Sequence, residues 1–116
     1  MPEPLPSEEL PHGFVYPEAF RRIDAADVVA PWWLLEGEHV LRRQRGLAAR
    51  YPDRNLVVFA RRQDNDDVAA FDVDARSIVV IHDFASPGHE QRDSFADLDS
   101  WLERVADDGA GFDDQP

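Results

Sequence analysis

The sequence predicts an α+β fold: an antiparallel β-meander covered on one face by helices, N-terminal helices first and a C-terminal helix last. Three observations carry that expectation. Three short apolar runs follow one another, Leu56-Val57-Val58-Phe59-Ala60, Val68-Ala69-Ala70-Phe71-Asp72-Val73 and Ser77-Ile78-Val79-Val80-Ile81-His82. Only Asp/Asn-rich turns separate them, too short for the crossover that parallel pairing needs. Segments with helical spacing lie before and after this block, and three strands alone would leave both faces wet, so helices must supply a second layer. The length, 116 residues, suits one domain, expected at residues 14–106.

Taken in order, residues 1–13 carry Pro2, Pro4, Pro6 and Pro11. Proline lacks the amide donor and fixes φ, so this stretch reads as a flexible arm, with Phe14, Val15 and Tyr16 docking it onto the core. Pro17 suits the first turn of a short helix over 17–24, with Phe20 and Ile23 on its buried face. Residues 25–30 form a connector. Trp32 and Trp33 are assigned to the core, because large aromatics dominate cores; an exposed partner site is the alternative. After Gly37, the residues Val40, Leu41, Gln44, Leu47, Ala48 and Tyr51 recur along one helical stripe, with Arg42, Arg43, Arg45 and Arg50 mostly off it. Gly46 costs about 1 kcal/mol there relative to alanine, and Pro52 ends the helix.

After the strand block, residues 83–92 read as a loop containing Ser86-Pro87-Gly88. Ser94 is expected as an N-cap with Asp97 completing a capping box. Phe95, Leu98, Leu102 and Val105 form the apolar face of the last helix, with Trp101 at its edge. Gly109 and Gly111 are expected to end the order, leaving residues 107–116 as an acidic disordered tail.

Several function classes lose support. With no cysteine, a disulfide framework, a thiolate metal site and a cysteine nucleophile are excluded. The start, Met1-Pro2-Glu3-Pro4, has neither the basic nor the apolar region of a secretory signal, and no run approaches the ~20 apolar residues of a membrane span. A cytoplasmic protein is expected. No serine sits in a nucleophile elbow. A metal site built from His82, Asp83, His89 and Glu90 has no compact ligand spacing, and Asp64-Asn65-Asp66-Asp67 lacks the glycine and distal glutamate of a calcium loop, so it reads as a turn. No phosphate-binding glycine loop occurs. The reading is therefore a non-enzymatic protein with no cofactor and no metal.

Charge points the same way. The chain has 24 acidic and 12 basic residues, all of the latter arginine, for a net charge of −12. Through Gln63 there are 9 acidic and 9 basic residues; beyond it, 15 acidic and 3 basic. Such a surface repels nucleic acid and anionic membrane and attracts basic proteins. The arginines at 42, 43 and 45 are too few to argue otherwise.

Two segments carry a family resemblance. Tyr51-Pro52-Asp53-Arg54-Asn55-Leu56-Val57-Val58-Phe59-Ala60-Arg61, followed by Asp64-Asn65-Asp66-Asp67-Val68-Ala69-Ala70-Phe71-Asp72, resembles the SUKH superfamily of bacterial immunity proteins and the yeast cell-wall-synthesis regulator. The likeness continues through Val79-Val80-Ile81-His82-Asp83 and the Phe95, Trp101, Leu102 segment, covering about residues 32–105. The chain is shorter than many members and has Asp-Asn-Asp-Asp where glycines are frequent. The resemblance implies a protein-binding role, neutralising a cognate bacterial toxin, commonly a nuclease and so basic; the alternative is a regulatory or scaffolding adaptor. The partner-binding carboxylates expected on this view are Asp64, Asp66 and Asp67 at the first turn, Asp72 and Asp74 at the second, and Asp83 and Glu90 in the following loop. The two turns lie at opposite ends of a meander, so the seven cannot form one patch.

Overall fold

The structure, a computed structural model, describes residues 4–113. Its centre is a five-stranded sheet of β1 (Trp32–Leu34), β2 (Leu56–Arg62), β3 (Asp67–Asp72), β4 (Ser77–His82) and β5 (Gln91–Phe95). The strands run in chain order, each antiparallel to the next. The helices are α1 (Glu18–Arg21), α2 (Gly37–Arg50), packed against β2, and the C-terminal α3 (Leu98–Asp113). The α+β meander expected from the strand runs is therefore the fold.

The three central strands match their expected spans within two residues. Residues 57–60, 68–71 and 78–81 are buried consecutively, as expected of strands whose side chains are shielded whichever way they point. An aromatic cluster organises one face. Phe59 meets Phe71 at 4.7 Å, Trp101 of α3 at 4.9 Å and Phe20 of α1 at 5.5 Å. Trp101 is fully buried, so it is the centre of the α3 contact and not its edge.

Two strands lie where sequence reasoning placed none. β1 is the Trp32-Trp33 segment; it has only three residues, too few to show an alternation. β5 falls in the expected loop and cap region because Gln91-Arg92-Asp93-Ser94-Phe95 is polar and is held by its pairing with β4. Ser94 is consequently a strand residue and not a helix cap. Asp97 takes the capping role instead: its Oδ1 accepts from the Ser100 amide at 2.8 Å, at the first turn of α3.

Both ends of the described chain are anchored. The expected disordered tail from 107 is helical as far as Asp113, running through Gly109 and Gly111. Asp108 accepts from Trp32 Nε1 at 2.9 Å. Gly109 lies so close to the segment before β1 that a Cβ there would stand 2.7 Å from Val29 Cγ2 and 3.1 Å from the Ala30 carbonyl. Glycine was needed for close approach, not for termination. Within the expected flexible arm, Leu5 is buried and its amide donates to the Tyr16 hydroxyl at 3.0 Å, while Arg45 holds Glu9 at 2.7 Å. The remainder of the two expected terminal segments, residues 1–3 and 114–116, lies outside the described residues.

α2 is fixed to the sheet by one polar side chain. β1 pairs only with residues 60–62 of β2, so the outer backbone edge of residues 56–58 has no strand beside it. Gln44 fills that gap. Its Nε2 donates to the Leu56 carbonyl at 2.7 Å and its Oε1 accepts from the Val58 amide at 2.9 Å. A buried amide in the apolar stripe of α2 is tolerated because both its ends are bonded.

Candidate functional site

A groove of about 700 Å³ opens beside β1. Its floor is the Trp33 to Leu35 segment together with Arg61, the cross-strand neighbour of Trp33. One wall is α2, which turns Val40, Gln44 and Leu47 to the core and presents His39, Arg42, Arg43, Gly46 and Arg50 to the groove. These positions recur at three- and four-residue intervals, one face of a helix. Phe84, just after β4, closes the far side.

The groove combines exposed aromatic surface with positive charge. Trp33 is 51% exposed and Phe84 is 62% exposed. The Arg61 guanidinium lies 5.5 Å from the Trp33 ring centre, and that of Arg50 lies 4.1 Å from the Phe84 ring centre, distances suited to cation–π attraction. Among the described residues Arg61 has no carboxylate partner, and Arg42 has only Glu38 at 3.9 Å, both well exposed. Four arginines and one glutamate, Glu36, line the site, in a chain whose net charge is −12.

Asp83 builds the far wall from beneath. It is fully buried. Arg50 donates to it through Nε at 2.7 Å and Nη2 at 2.7 Å, and Arg43 through Nη1 at 2.9 Å. Burial pushes the Asp83 carboxyl up, but the two guanidinium groups outweigh it and hold the carboxyl below its usual range. Asp83 Oδ1 also accepts from the Phe84 amide at 2.9 Å. Phe84 has φ of +68°, a left-handed conformation uncommon outside glycine and costly enough to need enforcement. The Asp83 network supplies it and keeps a phenylalanine pointing outward. Gly46 is part of the same device: a Cβ there would stand 2.7 Å from Arg50 Nη2, so the missing side chain is what lets Arg50 fold back along α2.

Most of the expected partner-binding carboxylates are engaged within the chain. Asp64 is held by Arg62 at 2.9 and 3.0 Å, a contact that lowers its pKa. Asp67 is buried and accepts from Arg92 at 2.9 Å, with His82 Nδ1 at 2.8 Å. Arg54 binds Asp72 at 3.1 Å and Glu90 at 2.9 Å. Glu90 also accepts from the Gly88 amide at 2.6 Å, and although burial opposes ionisation, these bonds hold its pKa low. Asp74 accepts from Asn55 at 3.1 Å. Of the seven, only the Asp66 carboxylate lacks a side-chain partner among the described residues. Asp64, Asp66, Asp67, Asp83 and Glu90 lie around one end of the sheet; the turn bearing Asp74 lies at the other, as a meander requires.

The structure thus brings together a different set: Trp33, Arg42, Arg61 and Phe84, with Asp83 as support. One signal for it was present in the sequence, the arginine spacing that marks one charged face of α2; β1, which places Trp33 on the face opposite Trp32, is too short to be read from its own pattern. Among the described residues, no group of three or more His, Asp or Glu is arranged to hold a metal ion, and no helix is long and apolar enough to cross a membrane.

Fold and site together define a small α+β meander domain with an arginine-lined, aromatic-flanked groove beside one sheet edge. No family model, curated protein or solved structure matches the chain.

Proposed function

We propose that this protein is a non-enzymatic protein-binding domain and that the groove between α2, β1 and Phe84 is where its partner docks. The observation that carries the reading is the pairing of two large exposed aromatics, Trp33 and Phe84, on either side of one groove. Exposed aromatics with arginine are the residues that dominate protein interfaces, and the backbone strain at Phe84 gives the core no benefit.

The biological setting that the SUKH resemblance supports is neutralisation of a cognate toxin in a bacterial conflict system, with the protein acting in the cytoplasm. The seven carboxylates have no part in this docking, since most of them are engaged internally. Affinity capture from the native host, with the native chain and a Trp33→Ala/Phe84→Ala variant run in parallel, tests it. A stoichiometric partner bound by the native chain and lost from the variant is the expected result. A partner held equally by both moves docking away from the groove. A partner with no toxic activity when expressed alone replaces neutralisation with a scaffolding role.

A further inference from the structure

The groove differs from the rest of the surface in the sign of its charge, and that difference selects its occupant. Among the described residues, nine of the twelve arginines are ion-paired. Of the three that are not, Arg61 lies in the groove. Arg42, on the α2 wall, is joined to Glu38 by a 3.9 Å contact in full solvent, which water and salt weaken nearly to nothing. Two guanidinium groups are therefore available, Arg61 on the floor beside Trp33 and Arg42 on the α2 wall. Arg43 and Arg50 add positive potential, half offset by the buried Asp83 beneath them.

On the docking reading above, we infer that the groove takes a short acidic segment of a partner protein: one or two carboxylates on Arg61 and Arg42, beside an apolar or aromatic side chain lodged between Trp33 and Phe84. Guanidinium groups bind carboxylates through paired, charge-assisted hydrogen bonds, and the rings exclude water from those bonds. The size is right for a few side chains, since pockets that enclose small ligands run from roughly 300 to 1,000 Å³. A nucleic acid fits less well. Its backbone charge extends far beyond the groove, where the chain's net −12 repels it; a peptide with two or three carboxylates ends before that repulsion accumulates.

The test is selection of a random dodecapeptide library on the full native chain, followed by affinity measurement of the enriched peptides. Enrichment of Asp and Glu next to an aromatic or aliphatic residue is expected. Such peptides should bind about tenfold or more weakly to Arg61→Glu, and again to Arg42→Glu, a solvent-exposed change that leaves the sheet untouched. Their affinity should fall as salt rises. Enrichment of basic peptides, or acidic peptides that bind both charge variants as well as the native chain, overturns the inference. So does an oligonucleotide of equal charge that displaces the selected peptides. Uncharged apolar peptides lost on Trp33→Ala would overturn the acidic occupant while leaving groove docking intact; peptides indifferent to both Trp33→Ala and Phe84→Ala would overturn both.

Discussion

The two edges of the sheet are built in opposite ways. β5, with sequence Gln91-Arg92-Asp93-Ser94-Phe95, is largely exposed and carries charges that are all committed: Arg92 to Asp67 at 2.9 Å and Asp93 to Arg104 at 2.8 Å. β1 carries no charge of its own and exposes a tryptophan. Charged, ion-paired edges resist addition of a foreign strand. β1 relies on being three residues long, and beside it lies the groove. One edge is finished against contact; the other is equipped for it.

That contrast breaks most severely at Asp83. Asp83→Ala leaves Arg43 and Arg50 without their buried counter-charge and Phe84 without its amide acceptor. A loss of about 3–5 kcal/mol in chemical denaturation is expected; a loss below about 1 kcal/mol would mean that the network does not hold the groove wall. The same network sets the acid limit of the fold. Because Asp83, Glu90 and Asp64 titrate below their ordinary values in the folded chain, their contribution is present above the unfolded carboxylate pKa of about 4 and is lost as pH falls through the lower folded values. Denaturation midpoints should drop steeply below about pH 4, and Asp83→Asn should flatten that limb as well as lower the midpoint at neutral pH.

The next effect separates the edges by function. Trp33→Ala should weaken partner binding by about 2 kcal/mol or more while changing stability little, since half of the ring is already in water. Arg104→Ala, which opens an exposed pair on the β5 side, should leave binding unchanged and cost no more than about 1 kcal/mol of stability. Calorimetric titration of both variants with the captured partner decides it. If Arg104→Ala weakens binding as much as Trp33→Ala, the asymmetry between the edges is not functional.

The smallest effect lies at Gly46. Alanine gains about 1 kcal/mol in an α-helix, but here its Cβ displaces the Arg50 guanidinium from Asp83. In the native background the two nearly cancel. In an Arg50→Ala background the full helical gain should emerge, readable as a rise in denaturation midpoint. Equal gains in both backgrounds would show that Arg50 does not need the space.

Much of the fold was legible, because consecutive β-branched residues between Asp/Asn turns have few other solutions. The central strands and α2 followed from local pattern. β5 was not legible, since a polar edge strand is defined by the β4 backbone beside it and not by its own side chains. Gly109 misled for a related reason: glycine before an acidic end signals a stop, but here it marks a close approach to Val29, eighty positions away. The site was less legible still. Seven carboxylates stood out as charge in one dimension, while the arginines that neutralise Asp64, Asp67, Asp72, Asp83 and Glu90 were visible only once the chain had closed. Phe84 gave no signal, because its exposure depends on a hydrogen bond from its own amide to the buried neighbour before it.

Gln44 carries one last consequence, for how this chain stays dispersed. The run Leu56-Val57-Val58-Phe59-Ala60 has the apolar, β-branched, uncharged composition of segments that stack into fibrils. Along residues 56–58 its outer flank is covered by a single side-chain amide bonded to Leu56 and Val58, in place of a strand. That amide is a plug in the most self-adhesive stretch of the chain. Gln44→Leu would keep the helix and its volume but leave the Leu56 carbonyl and the Val58 amide buried without a partner, a cost that favours states in which the helix lifts and the flank can pair with another molecule. Whether this protein remains monodisperse during long storage or seeds its own assembly then rests on one buried glutamine.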